Sequence, residues 1–331
     1  MSRPSIVIVS PALADANNGN WRTARRWQQL LRSTHEVRIV QKWPDAHCAS
    51  DVAMLALHAR RSADAVSAWA EARGSDGLGV VLTGTDLYCD INVDAQALRS
   101  LELARSLVVL QECGPQALPA GLRGKARVIF QSTSERQTLN KSNKALRAIM
   151  VGHLRSEKSP QTLFDAARLL AGRPDVFMTH VGGADNEPEL ADKARLTQQM
   201  FPHYRWVGAL AYAATRQAIQ RAHVLVHTSA MEGGAHVIME AVRSGTPVLA
   251  SRVPGNIGML GRDYAGYFDH GDAGHLAHLL LRCRASQSSG GGDDLLDRLR
   301  SQCAERAHLF TPERESADLR LLLAQLHDPS V

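Results

Sequence analysis

Short apolar runs recur along the chain, and longer stretches of helical periodicity separate them. The runs are rich in Val, Ile and Leu and have the length of buried strands. Buried strands that alternate with helices are typical of a parallel α/β sheet. The pattern therefore predicts strands over 6–9, 36–40, 51–57, 78–82, 107–111, 127–131, 147–151, 177–181, 204–207, 223–227 and 246–251.

The segment 223–251 shows this pattern most completely. Its first strand is followed by a polar loop, by Glu232-Gly233-Gly234 and by a predicted helix over 235–244. Gly245 follows that helix in the position of a C-cap glycine. The segment therefore reads as a strand, a glycine turn, a helix and a second strand.

A glycine turn that leads into a helix is typical of an anion site, because free N–H groups and the helix dipole favour negative charge. At Gly233 and Gly234 no side chain keeps a phosphate from the backbone. Glu232 and Glu240 are about 12 Å apart along a helix axis, and each carboxylate can accept two hydroxyl hydrogen bonds. This spacing suits a diphosphate between a sugar and a ribose. The alternative is an ordinary crossover helix with a capping and a surface glutamate.

Glu232-x7-Glu240 and the turn 245–248 together resemble the donor-site signature of GT-B glycosyltransferases of the retaining GT4 type. The resemblance implies that Glu232 contacts the donor sugar and that Glu240 holds the ribose. It also implies that the intervening backbone binds the diphosphate, through Gly233, Gly234, Ala235 and His236.

The resemblance covers the chain and implies a GT-B fold, with two Rossmann-like parallel-sheet domains that face a cleft. We expect residues 1–132 to form an acceptor domain, completed by a C-terminal helix over 312–331. Residues 133–311 are then the nucleotide-sugar donor domain.

A second part of the resemblance follows the predicted strand 147–151. The run from Gly152 to Lys158 is similar to the GT4 run Gly-Arg-Leu-x-x-x-Lys-Gly, whose Arg and Lys hold the donor diphosphate. Lys158 matches, His153 occupies the Arg position, and Arg155 is a nearby cation. Lys158 and Arg155 are therefore expected to assist departure of the diphosphate, with Glu232 as the third catalytic residue. The family's base pocket is expected at Val207 and Gly208.

Gly19 and Asn20 precede a predicted helix over 21–33. In GT-B enzymes this turn faces the donor phosphate and the acceptor. The resemblance therefore implies donor contacts for both residues and an acceptor contact for Asn20. The alternative is that Asn20 only caps the helix.

His58, Arg60 and Arg61 follow the predicted strand 51–57. Ligands of α/β sheets bind at the carboxyl ends of strands, and a guanidinium can clamp a phosphate through two hydrogen bonds. These three residues are therefore candidate acceptor ligands. The alternative is that the two arginines begin a solvated helix.

The run Thr83-Gly84-Thr85-Asp86 stands where many GT4 members carry His-Gly-x-Asp. Thr83 replaces a His that usually lies beside the reacting sugar. The departure indicates an acceptor other than the usual hydroxyl, with Thr83 at its site. Asp86 either belongs to this site or only braces the turn.

Composition narrows the class of partner. The formal net charge of +5 suits anionic ligands, but no basic tract with interleaved aromatic residues predicts nucleic-acid binding. The five cysteines include no C-x-x-C pair, which is typical of a reduced, intracellular protein. The apolar start is too short for a signal peptide, and no run reaches the length of a membrane span. We therefore expect a cytoplasmic protein.

The strings NNGNWRTARRW, LHARRSA, LTGTDLY and VGHLRSEK are similar to the selenosugar synthases of selenoneine biosynthesis. That resemblance implies transfer of a sugar from UDP-N-acetylglucosamine or UDP-glucose to selenophosphate, with a new carbon–selenium bond. Selenophosphate is an anionic, soft nucleophile that needs little general-base help. This chemistry is compatible with Thr83 in place of the family's usual His.

Two other functions remain open. One is transfer to an alcohol of a small metabolite or lipid, and the other is a nucleotide-sugar-binding regulator without catalysis. The chain has no Asp-x-Asp motif for a divalent metal and no G-x-G-x-x-G motif for a dinucleotide. We therefore expect a UDP-sugar as donor substrate and neither a metal nor a cofactor. The sequence leaves the oligomeric state open.

Overall fold

The computed structural model describes residues 3–13, 19–184, 187–288 and 294–327. Asn17 and Asn18, which begin the first of the four strings above, lie outside these ranges.

Two parallel six-stranded sheets form the framework. The first has the order β2-β1-β3-β4-β5-β6 and the second the order β12-β11-β10-β7-β8-β9. The strands are β1 Ser5–Val9, β2 Glu36–Val40, β3 Asp51–Leu57, β4 Leu78–Leu82, β5 Ser106–Val109, β6 Ala126–Val128, β7 Leu146–Val151, β8 Val176–Val181, β9 Tyr204–Trp206, β10 Val224–His227, β11 Val248–Ser251 and β12 Tyr267–Phe268.

Helices separate the strands along the chain, as the alternation of patterns predicts. They are α1 Gly19–Leu31, α2 Ala63–Arg73, α3 Ile91–Val93, α4 Ala95–Leu103, α5 Gly114–Ala117, α6 Gln161–Leu169, α7 Pro188–Met200, α8 Tyr212–Arg221, α9 His236–Val242, α10 Pro254–Leu260, α11 Ala273–Ala285, α12 Leu295–Arg306 and α13 Pro312–His327. A π-helical turn spans Asp86–Asp90, and a 3-10 turn spans Ser156–Lys158.

The predicted fold class, two Rossmann-like parallel-sheet domains, is confirmed, and each predicted strand is present. The strands predicted over 107–111 and 127–131 end earlier, at Val109 and Val128. The chain leaves β5 at this point because it turns towards α5, where the Gly114 N–H donates to the Gln111 carbonyl (3.1 Å). The two-residue strand β12 was not predicted, because so short a run carries no periodicity.

The chain separates into two compact units. Unit 1 comprises Met1–Ser132, Glu232–Gly234 and Leu309–Val331, and unit 2 comprises Thr133–Met231 and Ala235–His308. The expected division placed 232–234 with the second domain, whereas the structure groups this short segment with the first sheet.

Unit 1 has a core on each face of its sheet, because successive side chains of a strand point to opposite faces. Val7 and Val9 belong to one core, and Ile6 and Ile8 belong to the other. Leucines of α13 fill the second core together with Trp27 of α1. The C-terminal helix therefore covers the same face of this sheet as α1.

A buried carboxylate links α13 to α1. Glu315 has no exposed surface, and its oxygens accept hydrogen bonds from Trp27 Nε1 (2.6 Å) and Arg26 Nε (2.9 Å). They also accept from the Ser132 backbone N–H (2.8 Å) and its hydroxyl (2.5 Å). A buried charge is tolerated only when it is paired and hydrogen-bonded in this way.

Both sheets reverse their strand order beside their first strand, between β1 and β3 in unit 1 and between β7 and β10 in unit 2. In open α/β sheets, ligands bind outside the carboxyl ends of strands at such a reversal. His58 follows β3, and the loop that begins at Gly152 follows β7. The topology therefore places candidate residues at both reversals.

Replacing Glu315 with Ala should destabilise unit 1 by about 3 to 5 kcal/mol, because the Arg26 guanidinium and the Ser132 N–H lose a buried partner. Urea unfolding followed by tryptophan fluorescence measures this, since four of the five tryptophans belong to unit 1. Glu313→Ala, at an exposed position of the same helix, is the matched control. Equal midpoints for the two variants would contradict this role of Glu315.

Candidate active site

In unit 2, two loops meet at the reversal between β7 and β10. The Thr228 hydroxyl donates to the Lys158 carbonyl (2.6 Å), and the Ala230 N–H donates to the Glu157 carbonyl (2.9 Å). A Cβ on Gly152 would lie 3.7 Å from Lys158 Cγ, so the lysine stem packs along the Gly152 backbone. The structure therefore brings Lys158 to the carboxyl end of both strands.

The loop after β7 is held by a close backbone contact with the loop after β8. A Cβ on Gly182 would lie 1.8 Å from the Gly152 carbonyl oxygen, so only glycine fits. The Gly182 N–H donates to the Gly208 carbonyl (2.8 Å), and the Val207 N–H donates to the His180 carbonyl (3.0 Å). Gly182 therefore joins the predicted Val207–Gly208 segment to the Lys158 loop.

The buried side chain of His180 also contacts the Gly152 carbonyl. The sequence analysis did not predict this role of His180. Its Nε2 lies 3.1 Å from the Gly152 carbonyl oxygen, and its Nδ1 lies 3.2 Å from the Tyr204 hydroxyl. Because a carbonyl only accepts, Nε2 carries the proton and Nδ1 accepts from Tyr204. Burial lowers the pKa of His180 to about 4, so the ring is neutral and holds this orientation at neutral pH. The signal in the sequence was a histidine within a predicted buried strand.

The two predicted companions of Lys158 are more exposed. His153 accepts the Gly183 N–H at its Nδ1 (3.2 Å), so it is oriented by backbone. Arg155 lies 3.8 Å from Glu157, in a pair that is about two-fifths exposed on each side. Exposed pairs of this kind contribute little to stability, so the Arg155 guanidinium can exchange this partner for a ligand phosphate.

Helix α9 begins at His236, one residue later than predicted. The Ala235 N–H, predicted to bind the diphosphate, points at Met259 Sδ (3.1 Å). A thioether is a weak acceptor, so this N–H is only loosely committed. Glu240 is 3% exposed on the helix, and Gly245 has φ of 65°, as its predicted C-cap position requires.

Gly233 and Gly234 each make a close backbone contact in unit 1, which the sequence did not predict. A Cβ on Gly233 would lie 2.3 Å from the Thr83 carbonyl oxygen, and one on Gly234 would lie 2.7 Å from Leu110 Cβ. The missing side chains therefore admit the turn after β4 and the end of β5, where a phosphate was predicted to approach. Glu232, beside this contact, is 8% exposed.

Asp86 braces two turns of unit 1, which is the structural alternative that the sequence left open. Its Oδ1 accepts the N–H groups of Thr83 (2.9 Å) and Gly84 (2.8 Å), and its Oδ2 accepts the Ala59 N–H (3.0 Å). The side chain has no exposed surface. Asp86 therefore ties the turn after β3 to the turn after β4.

His58 lies inside this braced region. It is 3% exposed and has φ of 73°, a left-handed conformation that is uncommon outside glycine. Its Nε2 lies 3.3 Å from the Thr85 hydroxyl and 3.8 Å from Asp90. Burial lowers the pKa of His58, against the opposing effect of the Asp86 carboxylate. Burial therefore favours the neutral form of the His58 ring.

The two arginines precede helix α2, which begins at Ala63. Arg60 Nε lies 3.6 Å from Asp90, which sequence reasoning missed. Arg61 is exposed, and among the described residues no carboxylate pairs with its guanidinium. With His58 neutral, the charges of Arg60 and Arg61 face those of Asp86 and Asp90, so the cluster is balanced.

Gly19 and Asn20 are the first two residues of α1, so they belong to the helix. A Cβ on Gly19 would meet no atom of the described residues within 4 Å. The Gly19 carbonyl accepts the Thr23 hydroxyl (2.9 Å) in the first helical turn. No close backbone approach therefore requires glycine here.

Residues 131–289 match the sequence model of the family described as Glycosyl transferases group 1. This segment is a glycosyl transferases group 1 domain. The match spans 159 of the 331 residues and supports the predicted enzyme class, a glycosyltransferase. The match includes the Lys158 loop, Glu232 and Glu240, and it ends before α12.

Solved structures of similar fold cover almost the whole chain. Sucrose-phosphate synthase from Thermosynechococcus elongatus has 17% identity, covers 98% of this chain and 99% of its own, and has a TM-score of 0.76. Anabaena HepE in complex with UDP-glucose has 15% identity, coverage of 97% and 99%, and a TM-score of 0.73. The pneumococcal O-GlcNAc transferase GtfA in complex with UDP and GlcNAc has 16% identity, coverage of 83% and 57%, and a TM-score of 0.62. At these identities the likeness concerns the GT-B fold.

Two further features are absent from the described ranges. No cluster of three or more His, Cys, Asp or Glu side chains there could hold a metal ion. No helix in the same ranges is long and apolar enough to cross a membrane.

Gly182→Ala should destabilise unit 2 by about 3 kcal/mol, because the new methyl group overlaps the Gly152 carbonyl and forces the two loops apart. Hydrogen exchange of peptides from 146–183 measures this as faster exchange. Gly172→Ala is the matched control, since a Cβ there meets nothing within 4 Å. Unchanged exchange in Gly182→Ala would contradict the close-contact role of Gly182.

Proposed function

We propose that the chain transfers a hexose from UDP-N-acetylglucosamine or UDP-glucose to selenophosphate. The observation that supports transfer from a nucleotide sugar is the Lys158 loop at the β7–β10 reversal, inside the group 1 domain. Among the similar structures, HepE is in complex with UDP-glucose, and GtfA is in complex with UDP and GlcNAc. The four sequence strings support the selenium acceptor.

The proposed nucleotide ligands belong to unit 2. Lys158 and Arg155 face the diphosphate, with the N–H groups of Ala235 and His236 as further partners. Glu240 accepts the ribose hydroxyls, and Val207 with Gly208 lines the base. Glu232 contacts the donor sugar.

The proposed reaction forms one bond and breaks one bond at the anomeric carbon. Selenium attacks this carbon, the bond to the UDP oxygen breaks, and UDP departs with the electron pair. Negative charge on the diphosphate grows as this bond breaks. Lys158 therefore stabilises the transition state more than the bound donor.

Unit 1 is the proposed acceptor side, and Arg61 is its strongest candidate for a phosphate oxygen. Its guanidinium is exposed and has no carboxylate partner among the described residues. Arg60 can join it only when Asp90 releases it, since the two lie 3.6 Å apart. Thr83 replaces the family's usual His, which is compatible with a nucleophile that is already ionised.

Transfer to an alcohol is the second candidate, and the charge balance favours it. Asp90 offsets Arg60, and a buried, neutral His58 lies beside the Thr85 hydroxyl. A neutral imidazole can accept a proton from an attacking hydroxyl. A neutral acceptor would then meet a cluster without net charge.

A competition reaction tests the proposal. Equal concentrations of selenophosphate, thiophosphate and glycerol are offered with each UDP-sugar, and products are identified by mass spectrometry. We expect a selenium-bearing hexose as the main product. A glycoside of glycerol as the main product would support the second candidate, and turnover of neither class would contradict both.

Lys158→Ala should lower kcat about 100-fold with a modest change in the KM for the donor, because it removes charge stabilisation from the transition state. The hydrogen bond from Thr228 uses the Lys158 backbone and survives the substitution. Lys193→Ala, at an exposed position of α7, is the control. An effect confined to KM would instead make Lys158 a ground-state ligand of the donor.

A further inference from the structure

Tyr88 lies at the carboxyl edge of the unit 1 sheet without an assigned role. It belongs to the π-helical turn Asp86–Asp90, which directly follows the Thr83 turn. Turns of this kind occur frequently at functional sites. The same turn carries Asp90, the partner of His58 and Arg60.

Gln111 determines whether the Tyr88 hydroxyl donates or accepts in the hydrogen bond between them. Gln111 has no exposed surface, and its Oε1 accepts the Cys113 backbone N–H (2.6 Å). Because a backbone N–H only donates, the other amide atom is Nε2, which donates to the Tyr88 hydroxyl oxygen (2.8 Å). The Tyr88 oxygen is therefore the acceptor in this bond.

The hydroxyl proton of Tyr88 consequently points elsewhere. Among residues 3–13, 19–184, 187–288 and 294–327, the Tyr88 hydroxyl makes no hydrogen bond besides that from Gln111. Burial, and then the neighbouring Cys113 and Glu232, raise the pKa of Tyr88 to about 12. The group therefore stays protonated and remains a donor at neutral pH.

The surroundings indicate what this donor faces. Glu232, the proposed contact of the donor sugar, is near enough for its charge to act on Tyr88. Asp90, on the same turn as Tyr88, contacts both His58 and the proposed acceptor ligand Arg60. A proton donor at this edge of the sheet is suited to an oxygen of the acceptor.

We infer that Tyr88, oriented by Gln111, donates a hydrogen bond to an oxygen of the bound acceptor. Tyr88 is then a substrate-contacting residue, and Gln111 is a positioning residue that acts through it. The inference rests on the proposed function, because it needs an acceptor at unit 1. It applies equally to a selenophosphate oxygen and to an alcohol.

Kinetics of Tyr88→Phe test the inference on the full chain. We expect kcat/KM for the acceptor to fall about 3- to 10-fold, the effect of one hydrogen bond. Hydrolysis of the UDP-sugar without acceptor and the affinity for UDP should stay at the wild-type level. Tyr264→Phe is the control for loss of a buried hydroxyl, since that group bonds only within unit 2, and it should lower the melting temperature without changing kcat/KM.

Gln111 variants test the positioning role. Gln111→Met removes the donor at similar volume and should lower kcat/KM as Tyr88→Phe does, whereas the double variant should show no further loss. Gln111→Glu should act alike, because its carboxylate would draw the Tyr88 proton to itself. If either variant fails to fold, the other one carries the comparison.

Three outcomes would overturn the inference. Wild-type kinetics in Tyr88→Phe would show that Tyr88 does not donate to the acceptor. Additive losses in the double variant would show that Gln111 does not act through Tyr88. Parallel losses of transfer and hydrolysis would place Tyr88 on the donor sugar. A wild-type chain that transfers no hexose would contradict the proposed function itself, whereas an active wild type with a silent Tyr88→Phe contradicts this inference alone.

Discussion

A fully buried carboxylate organises the carboxyl edge of the unit 1 sheet. Asp86 accepts three backbone N–H groups, from Thr83, Gly84 and Ala59, and this replaces the water that its charge would otherwise need. Because the three donors belong to the turns after β3 and β4, the carboxylate fixes both turns relative to each other. His58, which has a left-handed backbone, lies next to Ala59 in this frame. The π-helical turn that carries Tyr88 and Asp90 also starts at Asp86.

Glycine serves close backbone contact in each unit. Gly182 admits the Gly152 carbonyl in unit 2, and Gly233 admits the Thr83 carbonyl in unit 1. In both places a loop that carries a proposed catalytic residue packs directly on a neighbouring turn. The positions of Lys158 and Glu232 are therefore set by backbone packing as much as by their own side chains.

The charge arrangement in unit 1 bears on acceptor choice. By residue type alone, a strongly positive cluster is expected from His58, Arg60 and Arg61. The structure adds Asp86 and Asp90, lowers the pKa of His58 through burial, and leaves only Arg61 among these side chains without an acidic partner in the described ranges. In the proposed function, discrimination between an anion and an alcohol would depend on Arg61 and on the release of Arg60 by Asp90.

The sequence by itself determined the two parallel sheets, nearly all strand positions, the C-cap glycine Gly245 and the place of Lys158 after its strand. These follow from local rules, because apolar periodicity and glycine conformation act within a few residues. Only the tertiary structure decided the roles of Gly233, Asp86, Asp90, Gln111 and His180. Their partners lie on other strands and turns, and burial and hydrogen-bond geometry depend on those distant contacts. A residue's charge is written in the sequence, but whether that charge is paired, buried or free to meet a ligand is settled by the fold.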